Sequence, residues 1–299
     1  MTGTMTFDNA IPRADIVKHA DRLGAEIKNI TLSDAVSDEI VIAIHQLLLE
    51  HKVIFFRDQE HLDDVQQKRF VLRLGSLIPN PTVPDQRRGL TIQKTLGDRA
   101  CSHVDQTNDD EVFSAHRPTI SVLRGPANPP LGADMAWSST TAAYLDLPDP
   151  LRMLADNLWA VRGATFDHPP MEGATEADKR ASDDASTGTI YDTTHPIVRV
   201  HPETGERMLS LGRSVQNFIG LQRYPSQRLF ELLKSYLTAP ENTLCWKWKT
   251  GDIAIWDNRA TERYTIDKIG SPHRAVNRLP VDAGLSHTKR LKSRAAEAA

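Results

Sequence analysis

The chain lacks what a membrane protein, a nucleic-acid binder or a secreted disulfide scaffold would need. It has two cysteines, Cys101 and Cys245. That is too few for a disulfide framework and suits a reducing compartment. Lys and Arg number 36 against 39 Asp and Glu, a net charge of -3. With no basic stripe interleaved with aromatics, a nucleic-acid partner is not expected. No stretch approaches the roughly 18 consecutive apolar residues that span a bilayer, so no membrane partner is expected either. Met1 to Ala20 contains Asp8, Pro12 and Asp15 and no apolar h-region, unlike a signal peptide. No internal repeat and no clean domain linker is visible. The expectation is a soluble, cytoplasmic protein.

What is present is ordinary for a globular protein: 299 residues, 39% apolar and 25% charged, enough for a large core. The pattern predicts short strands over residues 14–19 and 23–27. Ser37 to His51 follows as a helix with Ile40, Ile42, Ile44, Leu47 and Leu48 on its apolar face. Val53 to Arg57 is a continuous apolar run, the mark of a buried strand. Leu62 to Leu74 reads as a helix stopped by Gly75. Strands are predicted over 119–124, 133–137, 195–200, 208–211, 244–248, 251–256 and 274–279. Helices are predicted over 140–144, 150–158 and 227–237. Residues 1–12 read as a flexible lead-in, 79–100 and 164–190 as insert loops, and 283–299 as a polar tail. Residues 13–282 then form one domain. Many short strands with Pro and Gly turns, plus a few helices, predict a mainly β, α+β protein: a sandwich or barrel dressed with helices.

The chemistry centres on Cys101-Ser102-His103-Val104-Asp105-Gln106. On a strand, residues i and i+2 share a face, so His103 and Asp105 can reach one metal ion together. They would make two thirds of a facial triad, the arrangement that holds non-haem Fe(II) with open coordination positions. On its own the spacing is far more often a surface pair than a metal site.

Longer stretches carry more. Val53 to Gln59 (VIFFRDQ), Ser121 to Arg124 (SVLR), Ala142 to Trp159 (AAYLDLPDPLRMLADNLW), His195 to Arg207 (HPIVRVHPETGER), Pro240 to Trp248 (PENTLCWKW) and Gly251 to Thr261 (GDIAIWDNRAT) occur in order. Through them the chain resembles the TauD/TfdA family of Fe(II)- and 2-oxoglutarate-dependent dioxygenases over roughly residues 20–280. Within the family it looks most like the alkylsulfatase and sulfate-ester branch. The resemblance implies a double-stranded β-helix (jelly roll) with Fe(II) at its mouth, 2-oxoglutarate as co-substrate, and O2 and a small, anionic organic molecule as substrates. It also implies a homodimer or homotetramer. It makes His103 and Asp105 the first two iron ligands and Arg274 the partner of the 2-oxoglutarate carboxylate. Arg278, Asn80 and Gln106 fall on the substrate side. A guanidinium offers a planar fork to a carboxylate or sulfate, and residues four apart on a strand share a face.

The chain departs from that family at several places. The family's third ligand is the His of Trp-Asp-Asn-Arg-x-Thr-x-His; here the run is Trp256 to Arg263, and Arg263 stands at the ligand position. Guanidinium has no lone pair to give and stays charged. The residue before the first ligand, a Trp in the family, is Ser102. The co-substrate threonine of the family's Gly-Gly-Asp-Thr is Met135, in Gly132-Ala133-Asp134-Met135. A substrate-side His of the sulfonate branch is Asn80. His273 faces away from Arg274 on a regular strand, as Glu262 does from Arg263. His195 and His201 fall in a hairpin with structural or surface roles, and Asp257 and Asn258 read as turn formers. The expected function is hydroxylation of a small organic anion by a dioxygenase. The alternative is a non-catalytic descendant that binds a small anion without iron.

Overall fold

A computed structural model describes residues 10–77, 91–94, 105–106, 118–125, 134–162, 193–212, 215–266 and 275–282. The strands, in chain order, are β1 (Ile16–Lys18), β2 (Ala25–Ile27), β3 (Val53–Phe56), β4 (Ser76–Leu77), β5 (Thr91–Lys94), β6 (Asp105–Gln106), β7 (Ile120–Arg124), β8 (Asp134–Ser139) and β9 (Trp159–Arg162). They continue as β10 (Thr193–Pro196), β11 (Val198–Val200), β12 (Arg207–Leu209), β13 (Val215–Phe218), β14 (Thr243–Lys247), β15 (Ile253–Asp257), β16 (Thr261–Ile266) and β17 (Ala275–Asp282). The helices are α1 (Asp38–His51), α2 (Asp64–Leu74), α3 (Thr140–Leu145), α4 (Asp149–Asp156) and α5 (Arg223–Leu237). The protein is mainly β with flanking helices. No described helix is long and apolar enough to cross a membrane.

Two sheets matter for the site. One has eight strands in the order β1-β2-β3-β15-β7-β17-β4, with β5 also on β17. The other has four, in the order β14-β8-β16-β6. The central strands of the larger sheet are apolar on both faces because both faces are covered. Ile54 and Phe56 of β3, Ile253 and Ile255 of β15, and Ile120 and Val122 of β7 join Val41, Ile44, Leu48 and Phe70 in a core under α1 and α2. The alternate residues Val53, Phe55, Leu123, Ala254 and Trp256 face the other way. They pack with Met135 and Trp137 of β8 and Leu244 and Trp246 of β14. The inner core between the two sheets therefore holds the indoles. A third core ties α3, α4 and α5 to the β10-β9-β13 sheet and the β11-β12 hairpin.

Local signals explain the helices. Ser37 caps α1 by accepting from the Ile40 N–H at 3.4 Å. Val41, Ile44 and Leu48 then share its buried face. Asp63 and Gln66 form a reciprocal capping box at the start of α2, and Gly75 follows its end.

Several expectations are corrected. Ile11 is buried in the first core with Ala10 packed against it, so residues 10–12 belong to the domain. Thr91–Lys94, within the expected 79–100 loop, is a strand paired with β17. With one apolar residue, Ile92, in four, it shows no alternating pattern of its own, and the ladder to β17 specifies it. Residues 195–200 are not one strand. β10 pairs with β9 and β11 pairs with β12, with Ile197 turning between the two sheets. The helix expected from Gln227 begins at Arg223. The expected 164–190 excursion and the tail at 283–299 lie outside the described residues.

Candidate functional site

Strand register sets which side chains of the smaller sheet face the inner core. In β8 and β16, Arg263 lies opposite Trp137 and Thr265 opposite Met135. Opposed residues of an antiparallel pair share a face, so Arg263, Trp137 and Met135 all face the inner core. Arg263 is fully buried (0% exposed). Its Nη1 lies 3.8 Å from the Met135 sulfur, and its guanidinium carbon 5.5 Å from the Trp256 ring centre. Trp137 packs edge-on against Trp256 (5.7 Å) and Phe55 (5.4 Å). The Trp137 indole N–H is buried and has no acceptor in hydrogen-bond reach among the described residues. The Trp256 face and the Met135 thioether add cation–π and soft sulfur contacts to the guanidinium.

On the far edge of β16, β6 brings the Asp105 position opposite Thr265 and the Gln106 position opposite Tyr264. The Asp105 backbone thus sits one strand over and two residues along from Arg263. Across the inner core, β17 sets the Arg278 position opposite Leu123 of β7 and Thr91 of β5. His103, Asn80, Arg274 and His273 lie outside the described residues. The register therefore brings together Met135, Arg263 and the Asp105 position. Glu262 faces away from Arg263 as expected. Its Oε1 accepts from the Leu211 N–H at 3.2 Å, and its Oε2 from the Tyr264 hydroxyl at 3.4 Å. Burial, then the Glu262 carboxylate, pushes the Tyr264 phenol up, so Tyr264 stays a protonated donor.

Residues that read as turn formers and hairpin histidines make a buried charge cluster next to this strand. His201 and Asp257, each 1% exposed, are joined at 3.0 Å. Arg259 donates to Asp257 through its backbone N–H (2.8 Å), Nε (2.9 Å) and Nη2 (2.5 Å). Arg259 also pairs with Glu203 at 2.8 Å, and Glu203 with His45 of α1 at 2.7 Å. Lys52, at the end of α1, pairs with Glu206 of the same hairpin. Burial alone would raise the Asp257 carboxyl, but the bonds from Arg259 and His201 win and hold it at about 2. The His45 hydrogen bond, aided by Arg259 against burial, holds Glu203 at about 2. The β15–β16 turn is thereby tied to α1 and to the β11–β12 hairpin. Sequence reasoning missed this cluster. Its members are far apart in the chain, 56 residues between His201 and Asp257 and 158 between His45 and Glu203.

Donor chemistry decides what this site can hold. Among the described residues, no group of three His, Cys, Asp or Glu is placed to bind a metal ion. Arg263, Met135 and Trp137 offer a guanidinium, a thioether and an indole. None is a ligand for a hard divalent cation, so Arg263 does not fit a three-residue iron centre.

Fold and site define a mainly β protein with an aromatic-walled inner face between two sheets. The family model described as taurine catabolism dioxygenase TauD, TfdA family matches residues 15–261, and the chain belongs to that family. The match stops two residues short of Arg263. The chain is 42% identical over 289 residues to an alpha-ketoglutarate-dependent sulfate ester dioxygenase of Pseudomonas putida, covering 92% of this chain and 94% of the relative. It is 38% identical to an alkylsulfatase of Acinetobacter baylyi, covering 92% of this chain and 87% of that one. A solved taurine dioxygenase from Burkholderia xenovorans superimposes with a TM-score of 0.71 at 29% identity, covering 89% of this chain and 90% of its own.

Proposed function

We propose that this protein is a 2-oxoglutarate-dependent dioxygenase that works with Fe(II) and O2 on a small organic anion, an alkyl sulfate ester. The observation that carries the reading is the likeness, along nearly the whole chain, to a relative named for sulfate ester oxidation. The facing eight- and four-stranded sheets suit a double-stranded β-helix, with the pocket at its mouth. The net reaction balances as ester, 2-oxoglutarate and O2 giving aldehyde, sulfate, succinate and CO2.

The protein's own residues would supply shape and charge. The indoles of Trp137, Trp246 and Trp256 with Phe55 form a dry wall that excludes water. The buried Trp137 N–H gives an oxyanion a donor to satisfy. Arg274 and Arg278 are the proposed forks for the 2-oxoglutarate carboxylate and the substrate anion, with Asn80 and Gln106 on the substrate side. His103 and Asp105 are the proposed metal side. With Arg263 at the third position, the protein itself offers iron two ligands.

That last feature favours a second reading, a family descendant that binds a small anion without iron. Turnover separates the two. A medium-chain alkyl sulfate is incubated in air with the protein, Fe(II), ascorbate and 2-oxoglutarate. Inorganic sulfate and succinate released in equal amounts support the dioxygenase. No 2-oxoglutarate consumption at millimolar iron sinks it and leaves the anion binder.

A further inference from the structure

We propose that the cleft beside Arg57 is a second binding site, one that takes a small tetrahedral dianion: phosphate or sulfate, free or as the head of a small organic ester. The cleft lies on the β2–β3 side of the larger sheet. β15 and β7 stand between β3 and β17, the strand that carries the Arg278 position. At about 4.8 Å per strand, β3 and β17 are roughly 14 Å apart, so the inference stands independently of the dioxygenase reading.

The cleft holds about 410 Å3 and is lined by residues 26–30, Arg57, Asp58 and Lys249, room for an oxyanion with a short substituent. Its guanidinium is fixed in place. The Arg57 carbon lies 4.0 Å from the Trp246 ring centre, and Nη1 donates to the buried Asp252 at 2.5 Å. Asp252 also accepts from the Trp246 indole N–H (3.1 Å) and the Lys249 N–H (2.8 Å). Asp252 offsets the Arg57 charge but leaves Nη2 without an acceptor among the described residues, so one edge of the fork is open. Lys28 and Lys249 are exposed, and neither ammonium has an ion-pair partner among the described residues. Of the two carboxylates in the lining, Glu26 is bound to His19 at 3.2 Å and lies 3.9 Å from Arg57 Nε. Asp58 alone opposes an anion, against two ammonium groups and the open guanidinium edge. Solvent weakens each charge in a half-open cleft, which favours a doubly charged ligand over a single charge.

The frame behind these groups is rigid. Gln59 is buried, and its side chain ties the lining together. Its Oε1 accepts from the Leu32 N–H (2.8 Å), and its Nε2 donates to the carbonyls of Ile30 (2.9 Å) and Arg57 (2.7 Å). Its own N–H donates to the Gly251 carbonyl at 2.8 Å. Gly251 has a φ of +80°, and a Cβ there would meet the Gln59 nitrogen at 3.0 Å. Asn29 and Asp58 both hold a φ of +59°, a left-handed conformation uncommon outside glycine. Backbone held in this way clusters at ligand clamps, and here both residues line one cleft.

The test is equilibrium dialysis of the full chain against radiolabelled inorganic phosphate and, in a separate arm, radiolabelled sulfate, at low ionic strength. The variants are K28M, K249M, K28M/K249M and D58N, each checked by thermal melting. All three positions are exposed, so the fold should survive each change. K28M and K249M should each weaken binding roughly 3- to 10-fold, and D58N should tighten it by a similar factor. Added sodium chloride should weaken binding by wild type more than by K28M/K249M. Glycerol phosphate then identifies the source: displacement of labelled phosphate assigns the site to an ester head, and no displacement assigns it to the free ion.

The proposal is overturned if wild type binds neither anion at millimolar concentration. It is also overturned if K28M/K249M melts like wild type and binds as tightly, because the anion then sits elsewhere on the chain. A D58N protein that melts like wild type and binds no tighter overturns it as well, since Asp58 is the opposing charge of this cleft and of no other feature of the site.

Discussion

Replacing Asp257 by Asn removes one negative charge from the buried cluster and keeps its shape. The amide oxygen can still accept from His201 or Arg259. The carboxyl moves from an ordinary 3.8 in the unfolded chain to about 2 in the folded protein. A folded-state value below the unfolded one means that folding favours the ionised form. At roughly 1.4 kcal/mol per pH unit, the shift stabilises the fold by about 2 kcal/mol. That stability is fully present above pH 3.8 and is lost as pH falls through about 2. Glu203, also held at about 2, titrates in the same direction. Being more exposed, it contributes less than about 1 kcal/mol. D257N should therefore be about 2 kcal/mol less stable than wild type at neutral pH, with more added if Arg259 is left short of a partner. The gap should close between about pH 4 and about pH 2, because protonation then does to wild type what the substitution has done to the variant. Urea unfolding followed by tryptophan fluorescence, run in parallel on both proteins across that range, measures the gap. A constant gap, or none at neutral pH, would refute the assignment of His201, Arg259 and Asp257 as a linked charge cluster.

Two further substitutions probe the packing that holds the site. Gly24 has a φ of +86°, and a Cβ there would run into the Leu244 side chain. G24A should lower stability by about 2 kcal/mol or more in a thermal melt; an unchanged melting temperature would mean that β14 packs elsewhere. Phe55 is fully buried and stacks on Trp246 at 3.9 Å. F55A should cost about 3–5 kcal/mol and shift the tryptophan emission to the red. Unaltered emission would place Trp246 outside the inner core.

Much of the scaffold was legible because its signals are local. Val53 to Phe56 is apolar at every position, which requires cover on both faces, and both faces are covered by separate cores. The apolar period of Ser37 to His51 and the stop at Gly75 marked α1 and α2, while the Ser37 cap and the Asp63–Gln66 box emerged only in the structure. Thr91–Lys94 was not legible, since four residues with a single apolar side chain, Ile92, carry no strand period, and the partner β17 specifies the pairing. The split between β10 and β11 was hidden for a similar reason: an unbroken run of strand-forming residues does not say which ladder each joins.

The same division holds for the site. The sequence by itself determined the chemistry available: a His-x-Asp pair, arginines spaced for one strand face, and at position 263 a side chain that cannot ligate a metal. Those follow from side-chain composition and from the two-residue period of a strand. Only the tertiary structure decided that Arg263 lies wholly buried against Met135, 128 residues away in the chain. It alone joined His201 to Asp257 beside the same strand. Contacts between distant residues depend on sheet register and on the packing of one sheet over another, and neither is written in any short stretch of sequence.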